Sequence, residues 1–73
     1  MVNRNFTIET EKEKDGRWIA EVPELPGVLA YGKTRKLAQT HAEALALRVL
    51  AEKLEHSSSS RTTNFSNITF LHP

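Results

Sequence analysis

The chain has 73 residues and carries ten basic against nine acidic side chains, a formal charge of +1. That balance argues against a nucleic-acid stripe or an acidic tail, and the lack of cysteine excludes disulfides and thiolate metal sites. A chain this short forms one domain that buries only about 60% of its unfolded surface, so a partner or self-association is the expected aid.

From the N-terminus, MVNRNFTIETEKEK holds no apolar stretch fit for a signal peptide or a membrane span, and the chain reads as soluble and cytoplasmic. Asn5 to Glu13 alternate, with Phe6, Ile8 and Thr10 against Thr7, Glu9 and Glu11, which predicts a strand with one buried face. Asp15-Gly16 is a hairpin signal, since both positions tolerate positive φ. Trp18 to Val22 is the return strand, with Trp18, Ala20 and Val22 expected to face inward. A strict two-residue turn would instead put Phe6 and Ile8 on the face of Ile19 and Glu21. The two faces agree if a bulge or a longer loop shifts the register by one, and a bulge is expected.

Pro23 to Gly27 cannot be an interior strand, because two prolines remove two ladder donors. Val28 to Tyr31 reads as a third strand, closed by Gly32. Thr34 suits a helix N-cap, and Arg35 to about Glu55 has neither Pro nor Gly. Ala38, Ala42, Leu45 and Val49 share one helical face. Leu47, Leu50 and Leu54 are expected on nearly the opposite face, where they would form a homodimer or higher-oligomer interface. The competing expectation is a C-terminal segment, with Phe65, Ile68 and Phe70, that folds back over those leucines. Residues 57–73 read as a Ser/Thr/Asn-rich linker ending in a weak fourth strand at Ile68 and Phe70, after a domain spanning residues 1–56. The fold class is α+β, ordered β-β-β-α-β, an antiparallel sheet with one long helix on one face.

Gly27 to Thr34, GVLAYGKT, matches the spacing of a phosphate-binding P-loop. The loop positions Val, Leu, Ala and Tyr favour an extended strand over a nest of amides. The chain's lone aspartate, Asp15, lies upstream, where it cannot help hold Mg²⁺. No nucleotide or other cofactor is expected. Lys33, Arg35 and Lys36 beside the helix N-terminus form a candidate anion site, set against a plain solvated loop. Glu9, Glu11 and Glu13 share one strand face, the pattern of a solvated surface rather than a two-metal site. His41, His56 and His72 lack metal-ligand spacing. No nucleophile with a base and an orienting group is readable, so catalysis has no support.

The segment DGRWIAEVPELPGVLAYGKTR and the following AEALALRVLAEKLE resemble the HicB family of antitoxin domains over about residues 6 to 55. The resemblance rests on Asp15-Gly16, the aromatic at 18, Ala20, Val22, Pro23-Glu24-Leu25-Pro26-Gly27, Ala30, Gly32, Thr34 and the Ala/Leu-rich helix. It implies a partial ribonuclease H-like domain without active-site carboxylates. It also implies direct neutralisation of a HicA-type mRNA interferase encoded nearby, and dimeric or tetrameric assembly. Direct DNA binding is not expected without a further module. Arg35-Lys36-Leu37 departs from the acidic start common to family helices, and the Ser-rich tail has no counterpart there. Leu29 and Tyr31, pointing away from a helix packed on Val28 and Ala30, are the expected toxin contacts. The alternative is a phosphate, nucleic-acid or small-ligand module built on the strand-to-helix turn.

Overall fold

The computed structural model describes residues 5–56 and 68–72. The strands are β1 (Asn5–Thr7), β2 (Glu9–Lys12), β3 (Trp18–Glu21), β4 (Leu29–Gly32) and, after the helix α1 (Arg35–Glu55), β5 (Thr69–Leu71). β1 and β2 are two halves of the first predicted strand, separated by Ile8 alone, so the order is β-β-β-α-β. β2, β3 and β4 form an antiparallel sheet, and β5 pairs parallel with β1. The Ile8 N–H donates to Leu71 O at 2.8 Å, which carries that pairing into the join.

The hairpin holds the expected extra residue. Glu11 faces Ile19 and Lys12 faces Trp18, and the Glu13 N–H closes on Arg17 O at 2.7 Å. Three residues, Lys14, Asp15 and Gly16, remain in the loop. The Gly16 N–H donates to Glu13 O, and Gly16 sits at φ +94°, the left-handed residue of a three-residue hairpin with a glycine bulge. The Asp15 carboxylate accepts from the Arg17 N–H at 3.0 Å and from Arg17 Nε at 2.8 Å. The Arg17 backbone N–H, foremost, holds the Asp15 carboxyl below its usual range. The shifted register puts Phe6, Ile8, Ala20 and Val22 together in the core.

Pro23 to Gly27 form two successive turns. The Leu25 N–H donates to Val22 O and the Val28 N–H to Leu25 O, each at 3.0 Å. Pro26 followed by Gly27 at φ +88° is the signature of a type II turn. Extending the β2–β3 register would place Thr7 opposite Pro23, which has no N–H to give. The ladder stops short of that pair, and the Thr7 donors turn to Glu24 instead: its carboxylate accepts from the Thr7 N–H at 3.0 and 3.1 Å and from the Thr7 hydroxyl at 2.9 Å. Desolvation is the largest single influence on Glu24 and pushes its carboxyl up. The bonds from Thr7 and from its own backbone outweigh it and hold the pKa below the usual glutamate range.

α1 starts where expected, with Thr34 Oγ1 accepting from the Leu37 N–H at 3.1 Å. It packs mainly on β4 and β3 through Ala38, Ala42, Ala46 and Leu50, all buried, with Leu45 and Val49 beside them. Leu50 therefore belongs to the core and not to the far face with Leu47 and Leu54. Steps of four residues drift about 40° around a helix. A contact row starting at Ala38 has thus wound to Leu50 three steps later as α1 crosses the twisted sheet. Leu47 stays 47% exposed, and Leu54 is half-buried. Ile68 and Phe70 do not return over the leucines. They pack on the core, with the Phe70 ring centroid 5.9 Å from that of Phe6, and His72 Nε2 lies 3.1 Å from Glu43 Oε2 on α1. Phe65 and most of the expected linker lie outside the described residues. No helix among the described residues is long and apolar enough to cross a membrane.

Gly32 is set by sterics. A Cβ there would meet Leu37 C at 2.8 Å and the Leu37 Cβ at 2.9 Å, and would run into the Ala38 nitrogen. Gly32→Ala is expected to cost about 1–3 kcal/mol or more, because backbone has to move. A denaturant midpoint unchanged from the parent chain would contradict this close approach. A second expectation concerns acid. Since Glu24 titrates lower in the folded chain, its bonds stabilise above the ordinary glutamate pKa of about 4.3, and that contribution is lost as pH falls through the folded value. Urea melts should show Glu24→Gln less stable than the parent at pH 7, by less than about 1 kcal/mol for so exposed a group. The gap should narrow below about pH 4, where the parent carboxyl protonates.

Candidate protein-binding surface

Side chains alternate across a sheet, so the register assigns each face of β2–β3–β4. Thr10, Ala20 and Ala30 form one cross-strand row and Lys12, Trp18 and Gly32 another, both on the helix side. The outer face carries Glu9, Glu21 and Leu29 in one row and Glu11, Ile19 and Tyr31 in the next. Glu13 and Arg17 follow at the hairpin end. No described element covers this face. Leu29 is 40% exposed and Tyr31 41%, while Ile19, opposite Tyr31 on β3, is half-buried. The Arg17 guanidinium lies 4.5 Å above the Tyr31 ring, a cation–π contact that links the hairpin to β4. A shallow depression of about 390 Å³ is lined by Glu9, Thr10, Glu11, Ile19 and Glu21.

The surface therefore has an apolar line, Leu29, Tyr31 and Ile19, bordered by the carboxylates of Glu9, Glu11, Glu13 and Glu21, with Arg17 as its one cation among the described residues. Leu29 and Tyr31 point away from the helix, as their alternation predicts. The sequence reading missed the part played by Arg17, because a contact between a hairpin residue and a residue two strands away is invisible without the register. His41 also has a role that spacing did not show. Its Nδ1 donates to Tyr31 O at 2.9 Å, tying the outer edge of β4 to α1.

The strand-to-helix turn is a different environment. Lys33, Arg35 and Lys36 are exposed there, and the Arg35 guanidinium stacks 4.8 Å over Trp18. An aromatic ring thus stacks on the cluster, brought from β3. The geometry is not that of a P-loop. Leu29 to Gly32 are held in strand β4, Thr34 Oγ1 is committed to the Leu37 N–H, and Gly32 is pressed against the first helical turn. Among the described residues no group of three or more His, Asp or Glu is placed to hold a metal ion.

Comparison with protein-family models found no match, and no curated protein or solved structure matches the chain.

The geometry of the turn predicts that nucleotide does not bind. Calorimetry with Mg²⁺ and ATP should give no heat above dilution. Micromolar affinity that disappears in Lys33→Ala would contradict this.

Proposed function

We propose that this chain is a HicB-type antitoxin domain that neutralises a small HicA-type mRNA interferase by direct contact. The observation that supports it best is the open outer face of β2–β3–β4, where Leu29, Tyr31 and Ile19 lie among four glutamates. A ribonuclease must hold phosphates, so its substrate surface is cationic. An acidic face repels RNA and attracts that surface, and exposed aromatic and aliphatic anchors supply the buried contact an interface needs. The β-β-β-α-β order and the residues from Asp15 to Thr34 fit the same family. In this reading the chain catalyses nothing and works in the cytoplasm, where its partner meets mRNA.

The decisive experiment is co-expression with the product of the adjacent reading frame, followed by an RNA-cleavage assay. The purified pair should form a complex in which cleavage stops. Replacing both Leu29 and Tyr31 by alanine should weaken binding by at least about tenfold, as loss of anchor residues does, without changing the melting curve by much, since both side chains are exposed. A toxin that stays active and unbound beside the intact chain would sink the proposal.

The alternative module at Lys33, Arg35 and Lys36 draws support from the Trp18 ring beneath Arg35. RNA or inorganic phosphate bound at physiological salt, and lost in Lys33→Ala with Lys36→Ala, would favour it over the antitoxin.

A further inference from the structure

Strand β4 lies at one edge of the three-stranded sheet, and the ladder decides which of its backbone groups stay open there. The Glu13 N–H bonds to Arg17 O. Bonded pairs alternate along an antiparallel ladder, so Ile19 and Glu21 direct their backbone groups at β2. The Val22 N–H bonds to Val28 O, so Ala30 and Gly32 direct theirs at β3. Leu29 and Tyr31 therefore turn N–H and C=O outward, to the free edge. His41 Nδ1 takes Tyr31 O at 2.9 Å. The Leu29 N–H, the Leu29 C=O and the Tyr31 N–H have no partner among the described residues.

The two edges of the sheet differ in kind. Glu9, Glu11 and Lys12 leave β2 with one uncharged residue, and edge charges keep a foreign strand away. β4, Leu29-Ala30-Tyr31-Gly32, has no charge, no proline and an unbroken register with β3. Its outward side chains, Leu29 and Tyr31, are exposed and apolar or aromatic. From this we infer that β4 is a docking edge, which accepts an extended segment of another polypeptide as a fourth strand, parallel to β4 and apolar at alternate positions. The open groups select the direction. A carbonyl of a parallel strand accepts from the Leu29 N–H. Two residues on, its N–H donates to Leu29 O and its C=O accepts from the Tyr31 N–H. Its next inward N–H falls two residues further, where the segment can turn away before His41. An antiparallel strand must instead set the N–H of a bonded residue against Tyr31 O, the oxygen His41 holds. A second copy meets the same obstacle, because two copies of one edge bond across a two-fold axis only as antiparallel strands. The segment's outer side chains fall beside Leu29 and Tyr31, and Glu9, Glu11 and Glu21 across the sheet disfavour another carboxylate there.

The edge works through backbone groups rather than through the glutamates of the outer face, so it is independent of the antitoxin role and its test needs no toxin. The probe is a capped peptide of about seven residues, alternating valine and threonine, long enough to span the edge. It is titrated into the intact, isotope-labelled chain and followed by nuclear magnetic resonance. The Leu29 and Tyr31 amides should shift saturably and exchange with solvent more slowly. With valines beside Leu29 and Tyr31, a parallel strand points its threonine nitrogens at β4. Methylating those nitrogens should weaken binding at least about tenfold, and methylating the valine nitrogens should leave it nearly unchanged. On the protein side, Leu29→Pro removes an outward N–H and no ladder bond, and should lose the peptide. Leu29→Ala keeps the N–H and should keep most of the binding. If Leu29→Pro does not fold, the methylated peptides decide the matter on the parent chain. Absence of a saturable shift at Leu29 and Tyr31 overturns the inference. Amides already protected in the free chain overturn it too, by a second copy if dilution removes the protection and by another part of the same chain if it does not. Binding lost on valine methylation and kept on threonine methylation overturns the parallel direction.

Discussion

One hydrogen-bonded pair, Glu13 with Arg17 across a three-residue loop, decides which side of this sheet is inside. Side chains on a strand have a period of two, so a slip of one residue exchanges the faces. With Gly16 absorbing the extra residue, Phe6 and Ile8 join Ala20 and Val22 under the helix, and Glu9, Glu11 and Glu21 turn to solvent. A two-residue turn would bury the glutamates and expose the apolar row. The candidate site is thus the complement of the core, and the same bulge generates both.

The helix side of the domain is governed by closeness. Ala38, Ala42 and Ala46 are fully buried, and Gly32 lets the first turn of α1 press onto β4. Small residues bring the helix near the sheet, but each buries little apolar area, at about 25 cal/mol per Å². Larger side chains, Phe6, Ile8, Val22, Leu25, Val28 and Leu50, fill the space at the flanks. A two-layer domain built this way covers one face of its sheet and one face of its helix. The other two faces remain, and both carry apolar lines.

Those two faces differ in charge, which is why they suit different partners. The chain is nearly neutral overall, yet four carboxylates gather on the outer sheet face while Lys33, Arg35 and Lys36 gather at the start of α1. Net charge hid this separation, because it sums over surfaces that no partner meets together. Local charge sets encounter and orientation. The acidic face suits a cationic protein, whereas the basic start of α1 repels one.

Much of the architecture was legible in the residues. Alternation marked β1–β2 and β3, Pro23-Glu24-Leu25-Pro26-Gly27 marked the bend, and Thr34 with the Gly- and Pro-free run marked α1, because these signals depend on neighbours in the chain. The conflict between the faces of Phe6 and Trp18 even exposed the bulge. Leu29 and Tyr31 could be placed on the outer side for the same reason. What the sequence could not decide was set by contacts between distant segments. Leu50 joined the core because the helix crosses a twisted sheet, so its contact row winds around it. Arg17 reached Tyr31, Arg35 reached Trp18 and the Glu24 carboxylate came to accept the Thr7 donors only once segments far apart in the chain lay side by side. Local patterns determine which elements form, whereas pairing register and crossing geometry determine which side chains meet, and a surface able to bind a partner is made of such meetings.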